Sequence, residues 1–233
     1  FRAGIQAKWQ VKIKGRLGPG PNDSKIIHVL NRLVEWRDDG IHYEADQRHA
    51  EIVVKTLSLE NNAKGSAVPG TSEEVDLDQT SPLLSPQQTS LYRALTARAI
   101  YLAQDRTDIA FTAKEQGRQM SAPTELSWSK LKRLGRYLSQ HIRFVNIFGY
   151  QNEINRISVW SDTDWAGCKL TRKSTCGGII CLGKHILKSY STTQSVIAQS
   201  SAEAEYYGMT KAASVGIGIK GMFDDFGISL DIN

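Results

Sequence analysis

The chain has few cysteines and no long apolar run, and these two features limit the classes of protein to which it can belong. Its three cysteines, Cys168, Cys176 and Cys181, are spaced neither as paired zinc ligands nor as a dense disulfide framework. We therefore expect reduced thiols and an intracellular location, in the cytoplasm or the nucleus. Because no apolar stretch reaches bilayer length and no secretion signal opens the chain, we expect no membrane span. The sequence begins with Phe1, and we expect a fragment of a longer polypeptide.

The composition is that of a soluble globular protein, with 40% hydrophobic and 23% charged residues among 233. The net charge of +5 favours a polyanionic partner only weakly, but it is unevenly distributed. Residues 87–148 contain 10 basic and 4 acidic side chains, whereas residues 61–86 contain 1 and 4. The segment 87–148 is therefore the region of the chain most suited to contact a polyanion.

Periodicity and turn residues divide the first part of the chain. The alternation of Trp9, Val11 and Ile13 predicts a strand over 5–14, and two further strands are expected over 26–36 and 40–43. A helix is predicted over 46–59. Residues 61–86 combine glycine, serine, proline and acidic residues without periodicity, which predicts a linker.

The second part of the chain is predicted to be helical and then mixed. Ser85-Pro86 is a helix start, and further helices are expected over 108–120 and 125–140. Short strands follow over 154–160, 177–182 and 186–190, and a long helix begins near Ser200. Three strands followed by a helix indicate an α/β or α+β domain.

An acidic pair follows the first of these later strands. Asp162 and Asp164 lie at its end, where a sheet can fix the direction of a carboxylate toward a divalent metal. Taken alone, the local sequence favours a simple turn made by aspartate, threonine and glycine. A metal ligand and a turn residue both remain open for Asp162.

A second candidate acid lies at the start of the last helix. Ser200 and Glu203 have the spacing of a capping box, in which the glutamate turns back to the helix N-terminus. A cap is the more economical interpretation of Glu203 in isolation, and a metal ligand is the alternative.

The ordered setting of these acids resembles a known family, the Pol polyproteins of copia-type LTR retrotransposons. The similarity in their ribonuclease H region lies in Ser-Asp-Thr-Asp-Trp-Ala-Gly at 161–167, Thr-Arg-Lys-Ser-Thr at 171–175, and the stretch 194–206 around Ser-Ser-Ala-Glu-Ala-Glu-Tyr. Upstream, residues 92–95, 101–102, 106–111 and 132–138 resemble the segment between polymerase and nuclease. The resemblance covers nearly the whole chain and is most specific over 92–207.

This resemblance implies a domain layout and a fold. Residues 1–60 would be the end of the polymerase palm and the thumb, a short β-rich piece, and 61–86 the linker. Residues 87–148 would form a basic helical connection, and 149–233 the first part of a ribonuclease H-like domain.

The resemblance also implies chemistry. Asp162 and Glu203 match two catalytic acids that bind magnesium ions, which position water for attack on the RNA strand of an RNA–DNA hybrid. The other acids of the family's nuclease and the Tyr-x-Asp-Asp motif of its polymerase are absent; Asp231 lacks the expected context. We therefore predict that residues 1–233 alone neither polymerise DNA nor cleave hybrids efficiently.

Two basic groups are candidates for phosphate contact. The predicted helix 125–140 carries Lys130, Lys132, Arg133 and Arg136, and the loop after the acidic pair carries Arg172 and Lys173. These side chains could neutralise backbone phosphates without distinguishing bases. A solvated helix face is the equally weighted alternative for the helix.

Three functions are consistent with this sequence. The leading one is a piece of a reverse transcriptase and ribonuclease H polyprotein that binds RNA–DNA hybrid. The others are a non-catalytic structural or interaction subunit derived from such an element, and a simple nucleic-acid-binding module. Partners would be a hybrid or other nucleic acid, the remainder of the polyprotein, or other subunits of an assembly.

Overall fold

A computed structural model describes residues 2–60, 64–71, 80–152 and 154–233. The first elements along the chain are the helix α1 (Arg2–Lys8), the strands β1 (Ile26–Val29), β2 (Arg32–Arg37) and β3 (Gly40–Glu44), and the helices α2 (Arg48–Thr56) and α3 (Pro86–Leu102). A short 3-10 turn (Thr107–Ile109), the helices α4 (Ala110–Arg118) and α5 (Glu125–Gln140), and the strand β4 (Val145–Gly149) come next. The chain continues with β5 (Arg156–Asp164), β6 (Thr175–Leu182), β7 (His185–Thr193), α6 (Ser201–Asp225) and β8 (Asp231–Ile232). No helix in the described ranges combines the length and the hydropathy that a membrane span requires.

The contacts between these elements divide the chain into two units, each compact by itself. The first comprises residues 1–44 and 145–150, and the second comprises 45–144 and 151–233. These units differ from the predicted boundaries at 60, 86 and 148. The strand β4, remote in sequence, pairs with β3 in the first unit, whereas α2 packs on α3 and α5 in the second.

The first unit is an antiparallel sheet in the order β1-β2-β3-β4. Two expectations for this region are wrong. The alternating segment 5–14 is not a strand, because α1 occupies its first part and the exposed Trp9, Val11 and Ile13 lack a sheet to pack on. The predicted strand over 26–36 is two strands, because Leu30 and Asn31 adopt φ of 51° and 64° in a two-residue hairpin turn.

The helical part of the second unit forms where the sequence predicts it. Ser85 accepts a hydrogen bond from the Gln88 N–H in a capping box, and Pro86 opens α3. Thr124 caps α5 in the same way, and the helix then buries Leu131, Leu134 and Leu138. These leucines pack in one core with residues from α2, α3 and α4. The described parts of the predicted linker, residues 64–71 and 80–85, contain no helix or strand beyond an isolated bridge at Leu83; residues 61–63 and 72–79 lie outside the described ranges.

The remainder of the second unit is a four-stranded sheet covered by α6. The sheet order is β7-β6-β5-β8, with β8 parallel to β5 and the other pairs antiparallel. The predicted series of three strands and a helix is therefore present, and the protein is of the mixed α/β class.

The helix α6 contacts the sheet through a stripe of small residues, Ala204, Gly208, Ala212 and Gly216. A methyl group on Gly208 would collide with the Thr163 hydroxyl. The larger residues Tyr206 and Met209 point outward and are 67% and 61% exposed. Close approach of the helix backbone to the sheet along this stripe is joined by Val215, Ile219 and Phe223, which pack against the core of Ile157, Ile180 and Leu230.

Candidate nucleic-acid interface and acidic residues

Asp162 lies in β5, on the face of the strand that points away from α6. Side chains alternate between the two faces of a strand. Val159 and Thr163 share one face of β5, and they lie directly against Gly216 and Gly208 of α6. The opposite face therefore carries Trp160 and Asp162, both exposed. The sheet fixes the direction of the Asp162 carboxylate through pairing with Gly177.

Asp164 and the residues after it form the tight turn that the local sequence also predicts. Ala166 has a φ of 53°, and its N–H donates to the Ser174 hydroxyl over 3.1 Å. The Trp165 indole donates to the Ala198 carbonyl at 3.1 Å, which ties this turn to the segment before α6. Trp165 is 47% exposed, so its ring lies at the surface with its indole N–H anchored to the backbone.

Glu203 acts at the start of α6 in the manner of a cap. The Ser200 hydroxyl accepts from the Glu203 N–H at 3.1 Å. The Glu203 carboxylate turns back and accepts from the Gln199 N–H at 2.7 Å, and its second oxygen accepts from the Tyr207 hydroxyl at 3.1 Å. That hydrogen bond to Glu203 is the main cause that raises the pKa of Tyr207. Both carboxylate oxygens of Glu203 therefore already have donors.

The two predicted metal ligands occupy separate elements in this arrangement. Asp162 points away from α6, whereas Glu203 is on α6 and bound to its own helix start. Within the described ranges, no group of three or more histidine, cysteine, aspartate or glutamate side chains is arranged to hold a metal ion. The assignment of Asp162 and Glu203 as magnesium ligands stays a prediction.

Three of the predicted phosphate-binding residues lie on one wall of a cavity. Lys130, Arg133 and Arg136, spaced three residues apart on α5, line a cavity of about 770 Å³ in the second unit. Lys132 is on another side of α5, where its ammonium group lies 5.9 Å from the centre of the Trp128 ring. The structure therefore separates Lys132 from the other three basic residues of this helix.

Arg172 and Lys173 are in the loop between β5 and β6, which the backbone holds in a defined shape. The Arg172 N–H donates to the Cys168 carbonyl at 2.7 Å, and the Cys168 N–H donates to the Lys173 carbonyl at 3.1 Å. Arg172 has a φ of 56° and an exposed side chain. Both cations are in the same loop as the cavity residue Cys168, but neither is among the residues that line the cavity.

Sequence reasoning missed a pair of residues that joins α4 to this loop. Arg118 Nη2 lies 2.8 Å from Cys168 Sγ, and Arg118 Nη1 lies 3.0 Å from the Glu115 carboxylate. Burial raises the pKa of the Cys168 thiol, but hydrogen bonds from Arg118 and Thr171 outweigh that effect and lower it to about 7. Fifty positions separate Arg118 from Cys168, so no local spacing could have indicated this contact.

Comparison with known proteins gives the chain its relatives. It is 30% identical over 195 residues to the Retrovirus-related Pol polyprotein from transposon RE2 of Arabidopsis thaliana, a match that covers 82% of the chain and 13% of that protein. The corresponding polyprotein from transposon RE1 is 30% identical over 192 residues, with the same coverage. The chain belongs to the copia-type retrotransposon Pol polyproteins. It thus spans about an eighth of the length of these relatives.

A shorter relative of this polyprotein segment is an uncharacterized mitochondrial protein of Arabidopsis thaliana. It is 31% identical over 123 residues, which cover 53% of the chain and 51% of that protein. No family model matches the chain, and no solved structure matches it.

One motif that marks the polyprotein resemblance, at residues 106–111, has a structural role here. Arg106 is 1% exposed and forms a two-point ion pair with Asp108, at 3.2 Å and 2.6 Å. Arg106 also donates to the His141 carbonyl, and the Tyr137 hydroxyl donates to Asp108 at 2.8 Å. The motif therefore connects the 3-10 turn to the end of α5 through a buried charge network.

Proposed function

We propose that this chain is the connection and early nuclease segment of a retrotransposon reverse transcriptase and ribonuclease H polyprotein, and that it binds RNA–DNA hybrid. The observation that carries the proposal is the convergence of Lys130, Arg133 and Arg136 on one wall, with Arg118 nearby from α4. Backbone phosphates are the natural partners of such a group, because several fixed cations can each neutralise one phosphate without contacting a base.

A ribonuclease H-like fold for residues 149–233 is part of the same proposal. Its support is the antiparallel series β5-β6-β7 followed by α6 and by a strand, β8, parallel to β5. The motif at 161–167 comprises the end of β5 and the turn after it, and the motif around Glu203 begins α6. Each motif of the proposed nuclease thus falls at the junction of an element with a loop, where functional side chains are commonly held.

Magnesium-dependent cleavage is proposed for the longer polyprotein and not for these 233 residues alone. A two-metal site needs several carboxylates to hold two cations about 4 Å apart. Asp162 and the hydrogen-bonded Glu203 do not constitute such a set, and the described residues contain no group of three suitable donors. The residues present do not fit the two-metal group, so we derive no hydrolytic step from this chain.

The binding proposal is tested by fluorescence anisotropy with a labelled RNA–DNA hybrid over a series of salt concentrations. The logarithm of the binding constant should fall linearly with the logarithm of salt, with a slope of about −0.9 per phosphate neutralised. Arg133→Gln and Arg136→Gln together should make that slope shallower by about 1.8. Lys55→Gln, which removes an exposed charge from α2, should leave the slope unchanged. An unaltered slope in the double variant would reject the cavity wall as the contact surface.

The inactivity of the isolated chain has its own test. Incubation of the 233-residue chain with magnesium and a radiolabelled hybrid should release no RNA fragments above the background of the Asp162→Asn variant. Robust magnesium-dependent cleavage that Asp162→Asn abolishes would show that the acids on this chain suffice.

A second candidate function is an interaction subunit, and the outward face of α6 favours it. On this helix Tyr206, Met209, Ile217 and Met222 remain more than half exposed. Exposed apolar groups on one helix commonly mark a protein-binding surface. Sedimentation of the chain with and without Met209→Ser and Ile217→Ser tests this candidate. Association that these changes abolish, in a chain that does not bind hybrid, would favour the interaction subunit.

A further inference from the structure

The side of α6 that faces away from the sheet carries a row of exposed residues, which we call the outward stripe. Its members recur every three or four positions, the spacing of one helix face. They are Tyr206, Thr210, Ala213, Ser214, Ile217 and Gly221, and the midpoint of the row lies between Ala213 and Ser214. At a rise of 1.5 Å per residue the stripe is roughly 22 Å long, enough to contact a second helix over about four turns.

The two hydroxyl groups of the outward stripe already have hydrogen-bond partners within the helix. The Thr210 hydroxyl donates to the Tyr206 carbonyl at 2.9 Å, and the Ser214 hydroxyl donates to the Thr210 carbonyl at 2.9 Å. Burial of a hydroxyl group costs little when its hydrogen bond is kept. A partner can therefore cover the middle of the stripe without supplying polar groups of its own.

The charged side chains of this part of α6 are engaged elsewhere. Lys211 and Lys220 are the two charged residues between Tyr206 and Gly221 in the sequence. Lys211 donates to the Thr192 hydroxyl of β7 at 2.7 Å, and Lys220 forms an ion pair with Asp224 at 2.8 Å. The cores of protein interfaces are poor in charged residues and rich in tyrosine. The composition of the stripe therefore favours a protein partner over a polyanion.

Large and small residues are placed at matching distances along the stripe. Tyr206 and Gly221 are equally far from its midpoint, and so are Thr210 and Ile217. Tyr206 is 67% exposed, and no atom lies within 4 Å of the position that a Cβ on Gly221 would occupy. When two copies pair in antiparallel orientation about a two-fold axis at the midpoint, each residue meets the one equally far on the other side. Tyr206 then lies over Gly221 of the second copy, and Ile217 lies over Thr210. A parallel pair would instead place tyrosine against tyrosine and glycine against glycine.

We propose that two copies of this chain associate through the outward stripe of α6 as an antiparallel, two-fold symmetric helix pair. The proposal rests on the interaction-subunit candidate, for which it names a second copy as the partner, and not on hybrid binding. Glycine opposite the Tyr206 ring lets the two helices approach closely, which increases their contact. One helix pair is smaller than the standard interface of about 1,600 Å², so the dimer should dissociate with a Kd on the order of 10–100 μM.

Sedimentation equilibrium of the full chain, without nucleic acid, tests this pairing at concentrations from about one tenth of that Kd to ten times it. The wild type should show a monomer–dimer equilibrium. Tyr206→Ala removes the ring and Gly221→Leu fills the space that the ring would occupy, and each should raise the Kd roughly tenfold. Both positions are exposed, so neither change threatens folding. The double variant again places a large residue opposite a small one and should return the Kd to within about threefold of the wild type.

Gly218→Leu is the matched control. The space around Gly218 is as open as that around Gly221, but Gly218 follows Ile217 directly and so points about 100° away from it around the helix. The added leucine contributes the same apolar surface outside the stripe and should leave the Kd unchanged.

Three results would overturn the proposal. They are a wild type that stays monomeric, a lower Kd in Gly221→Leu, and a double variant that does not recover. Association that Met209→Ser and Ile217→Ser abolish but Gly221→Leu leaves intact would retain the interaction surface and reject the two-fold pairing. Because nucleic acid is absent throughout, these outcomes are independent of the hybrid-binding result.

Discussion

The guanidinium group of Arg118 donates a hydrogen bond to the sulfur of Cys168 over 2.8 Å. Arg118 ends α4, and Cys168 lies in the loop between β5 and β6, so this contact ties α4 to that loop of the same unit. The contact also stabilises the thiolate form of Cys168 relative to the thiol. Both consequences can be measured.

The first prediction concerns the reactivity of Cys168. Alkylation of the folded chain with iodoacetamide should accelerate through a midpoint near pH 7, because the thiolate is the reactive form and the pKa of this thiol is about 7. Arg118→Gln should return the pKa toward its ordinary value and slow the reaction at pH 7 roughly tenfold. Peptide mass spectrometry resolves Cys168 from Cys181, whose pKa is raised by burial.

Glu115→Gln is the matched control for that measurement. It removes the other partner of Arg118 and leaves the sulfur contact in place. Its alkylation profile should therefore remain close to that of the wild type. A profile in Arg118→Gln that coincides with the wild type would mean that the arginine does not set the reactivity of Cys168.

The second prediction follows from the same thiol and concerns stability. The pKa of Cys168 is lower in the folded chain, about 7 against an ordinary value of 9, so deprotonation favours the folded state. Its stabilising contribution should be complete above pH 9, decline as the pH falls toward 7, and be absent below. Urea unfolding of wild type and Cys168→Ser should give a free-energy difference that grows between pH 7 and 9. A difference independent of pH over that interval would contradict the assignment.

The third prediction concerns the buried pair of Arg106 and Asp108. Asp108→Asn leaves the 1% exposed Arg106 without its counter-charge, which should reduce the free energy of unfolding by about 3–5 kcal/mol. Asp224→Asn removes one partner of an exposed pair with Lys220 on α6 and should cost less than about 0.5 kcal/mol. Urea titrations of both variants provide the comparison.

A double variant identifies the source of that loss. Arg106→Met added to Asp108→Asn should cost less than the sum of the single changes, because it removes the uncompensated charge. Strict additivity would show that the two side chains do not act as a pair.

The fourth prediction uses two glycines of α6 that differ only in their surroundings. Gly218→Ala, with no atom within 4 Å of the added methyl, should stabilise the chain by about 0.5–1 kcal/mol through helix propensity. Gly208→Ala should instead destabilise it by about 1–3 kcal/mol, because the methyl would meet Thr163 and Cys176. Opposite signs in thermal unfolding would support close packing of α6 on the sheet, and stabilisation by both changes would exclude it.

Much of the architecture of the second unit was predictable because its signals are local. The helix start at Ser85-Pro86 is such a signal, and α3 begins there; α5 has the predicted bounds of 125–140. Errors arose where the deciding interaction was absent or remote. Apolar and polar residues alternate over 5–14, but this segment has no partner strand. Residues 26–36 have the pattern of a single strand, but a hairpin turn at Leu30 divides them into two.

The candidate sites divide along the same line. The spacing of Ser200 and Glu203 predicted a cap, and both residues act there. The sequence grouped Lys130, Lys132, Arg133 and Arg136 on one predicted helix, and the structure brings Lys130, Arg133 and Arg136 to one cavity wall. The sequence could not predict that Arg118, Gln116 and Cys168 line the same cavity. These residues come together only when α4 packs against α5 and the loop after β5 folds beside them.

Family membership, the α/β class and the identity of the two candidate acids were therefore determined by the sequence, through ordered motifs and short-range periodicity. Only the tertiary structure decided three further features. The Asp162 side chain points away from α6, Glu203 accepts hydrogen bonds from Gln199 and Tyr207, and Lys132 lies apart from the other basic residues of α5. The physical reason is range. Caps, turns and helical stripes depend on neighbours in the chain, whereas a cavity, a buried ion pair and a perturbed thiol depend on atoms that folding alone makes adjacent.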